Sequence, residues 1–297
     1  MNEVSSARRG TIEMGLAMTI AGSIGVFVIE SGQSPLDVVF YRCLFGAFFL
    51  WLYCCLRGLL RSAHFAWRPL ILTAFAGACL VINWALLFKA YSLTSISIAT
   101  IVYHVNPFII LLLGVLLFKD SFDASKLLWT GVAFVGLIFV IGTPGELSGD
   151  YMLGIFMTLA ATALYAVSIV VAKWLQDIPP EVLACLQVSV GVVMLFPFAD
   201  LGAASLAGLQ WGYLIGLGFF HTGVQYILLY GAFQKLPMAL IAILSFIYPV
   251  VAVMLDYAIY GQRLQPAQWL GIAAIAVATL AVKLNWRLWS RAKTARH

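Results

Sequence analysis

Two amides, Asn83 and Gln225, stand 142 residues apart, and each is followed directly by an aromatic residue, Trp84 and Tyr226. An amide offers donors and acceptors together, as a zwitterion requires, without fixing a charge preference. A lone amide in an apolar helix also ties helices together, at about 0.6 kcal/mol on average. The repeated placement favours a site over a tie. His221 precedes Gln225 by four residues, so both share one helix face, and His104 stands three residues before Pro107. Such histidines in a membrane are more often functional than decorative, with a satisfied packing role as the other reading. Thr158, Thr162 and Tyr165 recur at helical spacing as one polar stripe, of which Thr19 and Ser23 keep a part, with Val26 at the third place. These hydroxyls either bond back onto their own helix or face a cavity. Pro107 and Pro249 each remove an N–H and free the carbonyl four residues earlier, at Tyr103 and Ser245. The resulting kinks serve packing alone or act as hinges.

Other chemistries are excluded. No Gly-Lys dipeptide occurs, so no G-x-x-x-x-G-K-[ST] phosphate loop exists, and the HExxH and GxSxG patterns are absent. Gly216 and Gly218 approach a GxGxxG pattern, but His221 takes the third position, and the glycines read as helix-packing residues. The five cysteines (Cys43, Cys54, Cys55, Cys79 and Cys185) fall inside apolar runs without metal spacing and read as small packing residues. Neither a cofactor nor a metal is expected.

The elements that must hold these residues follow from composition. Of 297 residues, 63% are hydrophobic and 10% charged, with a mean hydropathy of +1.00. Soluble domains average about 25% charged residues. A membrane-spanning helix takes about 20 apolar residues, and punctuation cuts the chain into ten such segments: 11–30, 36–56, 69–91, 96–118, 126–142, 152–175, 180–199, 209–231, 238–260 and 266–286. The formal charge of +5 is scattered between them rather than gathered for nucleic acid. With the N-terminus inside, the inner side receives Arg8, Arg9, Arg57, Arg61, Arg68, Lys119, Lys126, Lys173, Lys235, Lys283 and the C-terminal cluster from Arg287, while Arg263 alone falls outside. Both termini are therefore expected in the cytoplasm. Within spans lie Arg42, Lys89 and Asp256; Lys89 can snorkel to the interface, and Arg42 with Asp256 is a candidate ion pair.

The chain repeats itself. Ala90–Pro107 and Ala232–Pro249 align at the same offset of 142, and Trp129-Thr130-Gly131 answers Trp269-Leu270-Gly271. Residues 1–147 and 148–297 then each hold five spans, and an odd number turns the second half upside down. The expected fold is an all-α integral membrane protein of ten transmembrane helices in two inverted five-helix repeats. Inverted repeats are typical of transporters, with the site at the repeat interface.

An Arg in the second helix (Ser34–Arg42), a small-residue stretch leading to a mid-helix Pro, and a later W-x-G resemble the EamA-type drug/metabolite transporters. Ser97 and Ala239 hold equivalent small positions. The loop acid common in that family is matched by Asp120 in the first half, but Gln262 stands in the second. The aromatic and uncharged polar content is most similar to the bacterial exporters of aromatic and other neutral amino acids, and export is implied by that resemblance alone.

The expected function is export of neutral, aromatic amino acids or related metabolites through a central cavity in the bacterial cytoplasmic membrane. The candidate binding residues are Asn83, Trp84, Tyr103, His104, Thr162, Tyr165, His221, Gln225, Tyr226, Ser245 and Tyr248, with Pro107 and Pro249 as hinges. Partners are a small-molecule substrate and membrane lipid. Export of small cationic drugs coupled to protons is the alternative, and it lacks a central carboxylate. An intramembrane enzyme would need a nucleophile–base pair, for which no motif is present, and neither it nor a scaffold requires two opposed halves.

Overall fold

The computed structural model describes residues 3–60, 67–106, 109, 124–141, 148–175, 178–200, 208–233, 235–236, 244, 247–284 and 286. Its helices are α1 (Glu3–Gly22), α2 (Ile24–Glu30), α3 (Pro35–Leu56), α4 (Trp67–Leu93), α5 (Ile96–Tyr103), α6 (Ala124–Ile141), α7 (Gly149–Trp174), α8 (Pro180–Leu195), α9 (Gly208–Gly218), α10 (Gln225–Phe233), α11 (Ile247–Tyr260) and α12 (Pro266–Lys283). No strand occurs among the described residues. Among the described residues, six stretches are long and apolar enough to cross a membrane, and Ile247–Tyr260 and Pro266–Ala278 are shorter apolar helices. Parts of the expected fourth and ninth segments, including Pro107 and Ser245, lie outside the described residues.

Local chemistry starts these helices where the sequence turns. Ser34 caps α3 by accepting the Asp37 backbone N–H at 3.2 Å, and Pro35 supplies the first helical residue. Asp37 also accepts from the Ser34 hydroxyl at 2.6 Å and from the Asp200 N–H at 2.8 Å, which pins the end of the α8 segment to the start of α3. Ser95 caps α5 by accepting from Ile98 N at 3.1 Å. Gly261, at a φ of 67°, closes α11 in a conformation that side chains resist.

Helices α4 and α7 pack along each other, as do α1 and α10; α3 packs on α8 and α6 on α12. Further pairs are α4 with α8, α3 with α9, α5 with α7, and α1 with α11. Exchanging the two halves of the chain maps these pairings onto one another. The largest apolar core is built chiefly from α3, α4 and α8, with residues such as Val38, Leu50, Phe88 and Val182. Cys43, Cys54, Cys79 and Cys185 are buried free thiols, while Cys55 is exposed.

Two expected helices are not continuous. The first segment breaks at Ser23, which lies between α1 and α2 and whose N–H donates to Ile20 O at 3.1 Å. The eighth widens into a π-helical turn at Phe219–Val224, joining α9 to α10. Small residues allow close approach at both places. A Cβ on Gly25 would lie 2.5 Å from Ile96 Cγ2, and one on Gly216 would lie 2.6 Å from the Phe27 ring. Gly218 and Gly223 press against Phe45 and Phe49 of α3 in the same way, so these glycines are packing positions.

Candidate functional site

Around Tyr103 the first group of predicted residues comes together. Asn83, fully buried on α4, donates from Nδ2 to the Tyr103 hydroxyl at 3.1 Å and to Ala161 O of α7 at 2.6 Å. Its amide thus ties α4 to α5 and α7. The Tyr103 ring lies 5.7 Å from that of Tyr165. Thr162 does not take part: its hydroxyl donates to Thr158 O at 2.7 Å, and Thr158 donates to Gly154 O at 2.9 Å. The stripe therefore bonds back onto its own helix, and Tyr165 alone of the three reaches a neighbour across the site.

The second group surrounds the break in the first segment. His221 is buried, shares a 3.0 Å hydrogen bond with Ser23 Oγ, and packs its ring 4.6 Å from Phe27. The π-helical register lets Thr222 donate to Leu217 O, five residues back, at 3.1 Å. Ser23 also donates to Ile20 O at 2.9 Å. Gln225, the repeat partner of Asn83, differs from it, since its Oε1 is buried with no hydrogen-bond partner among the described residues.

Arg42 links the two groups. It is 3% exposed, donates from Nε to Thr222 Oγ1 at 3.1 Å and from Nη2 to His221 O at 3.2 Å, and lies 4.0 Å above the Trp84 ring. Phe88 lies 5.7 Å from the same guanidinium. Its charge acts on Tyr226, Tyr91 and Tyr103 nearby. The candidate pair with Asp256 does not form. Asp256 is buried, and its carboxylate accepts the Ser97 N–H at 2.8 Å, satisfying an orphan donor at the start of α5. Spacing along the chain marked Arg42 as an in-span charge but not as part of the site. The signal available was a cation in an apolar span with no acid at helical distance on its own helix.

Tyr248 packs its ring 5.1 Å from His104 and comes beside Tyr91 and Thr100. His104 Nδ1 lies 2.9 Å from Thr100 O, within its own helix. Pro249 is the third residue of α11, while Pro107 and the Ser245 carbonyl lie outside the described residues. Tyr103, Tyr165, Tyr226 and Tyr248 sit deep in the bundle, yet each is only half-buried. Deep side chains keep accessible surface where they border an internal space. These four come from both halves of the chain.

Toward the start of α1, Glu13 accepts from Lys235 Nζ at 2.6 Å and from Arg9 Nε at 2.9 Å, joining α1 to the end of the α10 segment. At its other end, Glu30 accepts from the Tyr260 hydroxyl at 2.9 Å. No group of His, Cys, Asp and Glu with metal-binding geometry occurs among the described residues.

Residues 9–142 and 152–284 each match the EamA-like transporter family. A Bacillus subtilis (strain 168) protein named "Uncharacterized transporter YxxF" is 32% identical over 277 residues, covering 92% of this chain and 89% of the relative. An uncharacterized transporter of Archaeoglobus fulgidus is 26% identical over 94% of this chain and 97% of its own length. Protein RarD of Streptomyces exfoliatus is 20% identical over 81% of this chain and 73% of its own. One solved crystal structure superposes with a TM-score of 0.67 at 18% identity, covering 95% of this chain and 99% of that one, and so shares the fold. With two matched copies spanning most of its length, the chain belongs to the EamA-like transporter family and is a multi-pass membrane transporter.

Proposed function

We propose that this transporter exports neutral, aromatic amino acids or related metabolites across the bacterial cytoplasmic membrane by alternating access. The observation that carries the reading is the set of half-buried tyrosines, Tyr103, Tyr165, Tyr226 and Tyr248, drawn from both halves around an internal space. An aromatic side chain stacks favourably on such rings, and their hydroxyls take polar groups at the rim. The unpartnered Gln225 Oε1 adds an acceptor for an ammonium group. Ten spans in two inverted repeats, with both termini cytoplasmic, would put the two halves on opposite sides of this space. The pairing of helices that survives exchange of the halves supports that arrangement, as does the bias of Lys and Arg between loops. Cationic cargo is disfavoured by the buried Arg42 beside the tyrosines. No phosphate loop is present to hydrolyse ATP, so the solute gradient is the simplest driving force.

Counterflow in proteoliposomes tests the reading. Vesicles preloaded with unlabelled phenylalanine should accumulate labelled phenylalanine, with tryptophan and tyrosine competing. Uptake of a cationic dye driven by a proton gradient, without phenylalanine counterflow, would replace this reading with proton-coupled drug export. Cysteine probes at Arg296 and Glu146 should report opposite sides of the membrane; labelling from one side would remove the inverted-repeat arrangement.

A further inference from the structure

Arg42 carries a full charge into the interior of an apolar bundle and meets no counter-ion among the described residues. Its partners are a hydroxyl, a backbone carbonyl and two aromatic faces: Thr222, His221 O, Trp84 and Phe88. The two buried acids among the described residues are engaged elsewhere. Asp256 accepts from Ser97 N, and Asp37 accepts from Ser34 and Asp200 N. Among the described residues, the ion pairs are Arg9–Glu13 and Lys235–Glu13. An uncompensated charge at such a depth is costly, and a charge retained there marks a binding or transfer role.

The geometry also leaves donors over. A guanidinium presents five N–H groups in a fixed fork, and the protein takes one from Nε and one from Nη2. Nη1 meets no acceptor among the described residues, while the Trp84 ring covers the group from one face. Of the tyrosines on which its charge acts, Tyr226 and Tyr103 are two of those bordering the internal space. A planar, oriented cation with a free edge beside an opening is matched to an oxyanion, which it can bind through two parallel hydrogen bonds.

We infer that Arg42 is the carboxylate-binding residue of the transport site and that the cargo is a carboxylic acid or amino acid. This deepens the proposed function and rests on the internal space being the cargo site. It also assigns the two halves different roles, because the residue 145 places later, where Pro180 answers Pro35 and Gly191 answers Gly46, is the buried but neutral Gln187. The carboxylate would lie against the α3 side and the aromatic group against the tyrosines.

The experiment compares thermal stabilisation of the detergent-purified protein by phenylalanine, 3-phenylpropionate and 2-phenylethylamine, for the parental chain and for Arg42→Gln and Arg42→Lys. Glutamine is chosen because Gln187 occupies the equivalent place, and its amide can still donate to Thr222 or His221 O. Phenylalanine and 3-phenylpropionate should stabilise the parental protein, and 2-phenylethylamine should not. Arg42→Gln should need roughly ten- to a hundredfold more of either carboxylate for the same shift, with Arg42→Lys between the two. Equal stabilisation by the amine, an unchanged response in Arg42→Gln, or no response of the parental protein to either carboxylate would overturn the inference. If Arg42→Gln does not fold, the three ligands on the parental protein decide it. Stabilisation by carboxylates without phenylalanine counterflow would leave Arg42 as the anion site and remove the proposed cargo transport; phenylalanine counterflow that is undiminished in Arg42→Gln would keep the transport and remove Arg42 from the site.

Discussion

The pair α4–α7 and the pair formed by α1–α2 with α9–α10 each join one half of the chain to the other and map onto one another when the halves are exchanged, yet they are built differently. In the first, α4 runs unbroken for 27 residues and α7 for 26, and the polar tie is Asn83, with both N–H groups of its amide bonded across helices. In the second, one helix breaks at Ser23 and the other widens at Phe219–Val224, and the tie is the Ser23–His221 hydrogen bond. At the offset of 142, Gly218 and Gly223 of the π-helical region answer Ala76 and Val81 of α4. Val81 carries its side chain fully buried against Gly191, whereas at Gly223 the space is taken by the Phe49 ring. The straight pair behaves as a scaffold. The distorted pair supplies the carbonyl and hydroxyl that orient Arg42, which is where π-helical turns often occur in functional helices.

The largest test of that contrast exchanges the residues. Gly223→Val gives the distorted helix the residue of its counterpart, and the added side chain collides with Phe49. A loss of about 2–3 kcal/mol is expected, read as a lowered melting point in detergent. A melting point equal to the parental one would show that the glycine is not what permits the close contact.

A smaller loss is expected at the scaffold. Asn83→Leu strands the Ala161 carbonyl and the Tyr103 hydroxyl in an apolar interior, at a cost of about 1–2 kcal/mol. Should the variant melt like the parental protein while phenylalanine counterflow collapses, Asn83 belongs to the site and not to the scaffold.

Ser23→Ala removes both the bond to His221 and the one to Ile20 O, and about 1 kcal/mol should go with them. Proton-detected exchange or cysteine accessibility along α1 should show the break between α1 and α2 relaxing. A fully retained break would place its cause in Gly22 and Gly25 instead.

The smallest effect on stability is expected at Gln225. Its Oε1 has no partner to lose among the described residues, so Gln225→Leu should stay within about 0.5 kcal/mol of the parental protein. Phenylalanine counterflow should nonetheless slow by about tenfold, if this oxygen receives the cargo. A stability loss as large as that of Asn83→Leu would make the two amides alike and erase the contrast between the pairs.

Much of this was legible along the chain. Apolar runs of spanning length, punctuated by turn residues and basic loops, determined an all-helical membrane protein, because in lipid every backbone N–H and C=O must be satisfied within the segment. The recurrence at 142 residues determined that the halves are related and that Asn83 and Gln225 correspond. Sequence spacing could also pair Thr158 with Thr162, but it does not say where a hydroxyl points, and both turned back onto their own helix. Only the tertiary structure decided that Asn83 is engaged while Gln225 is not, since a hydrogen bond needs a partner from another helix at the right depth. It likewise decided that Asp256 serves the start of α5 rather than Arg42. Which acid meets which cation depends on how helices far apart in sequence are rotated and stacked, and a few ångströms of packing set by glycines at Gly218 and Gly223 are enough to change the answer.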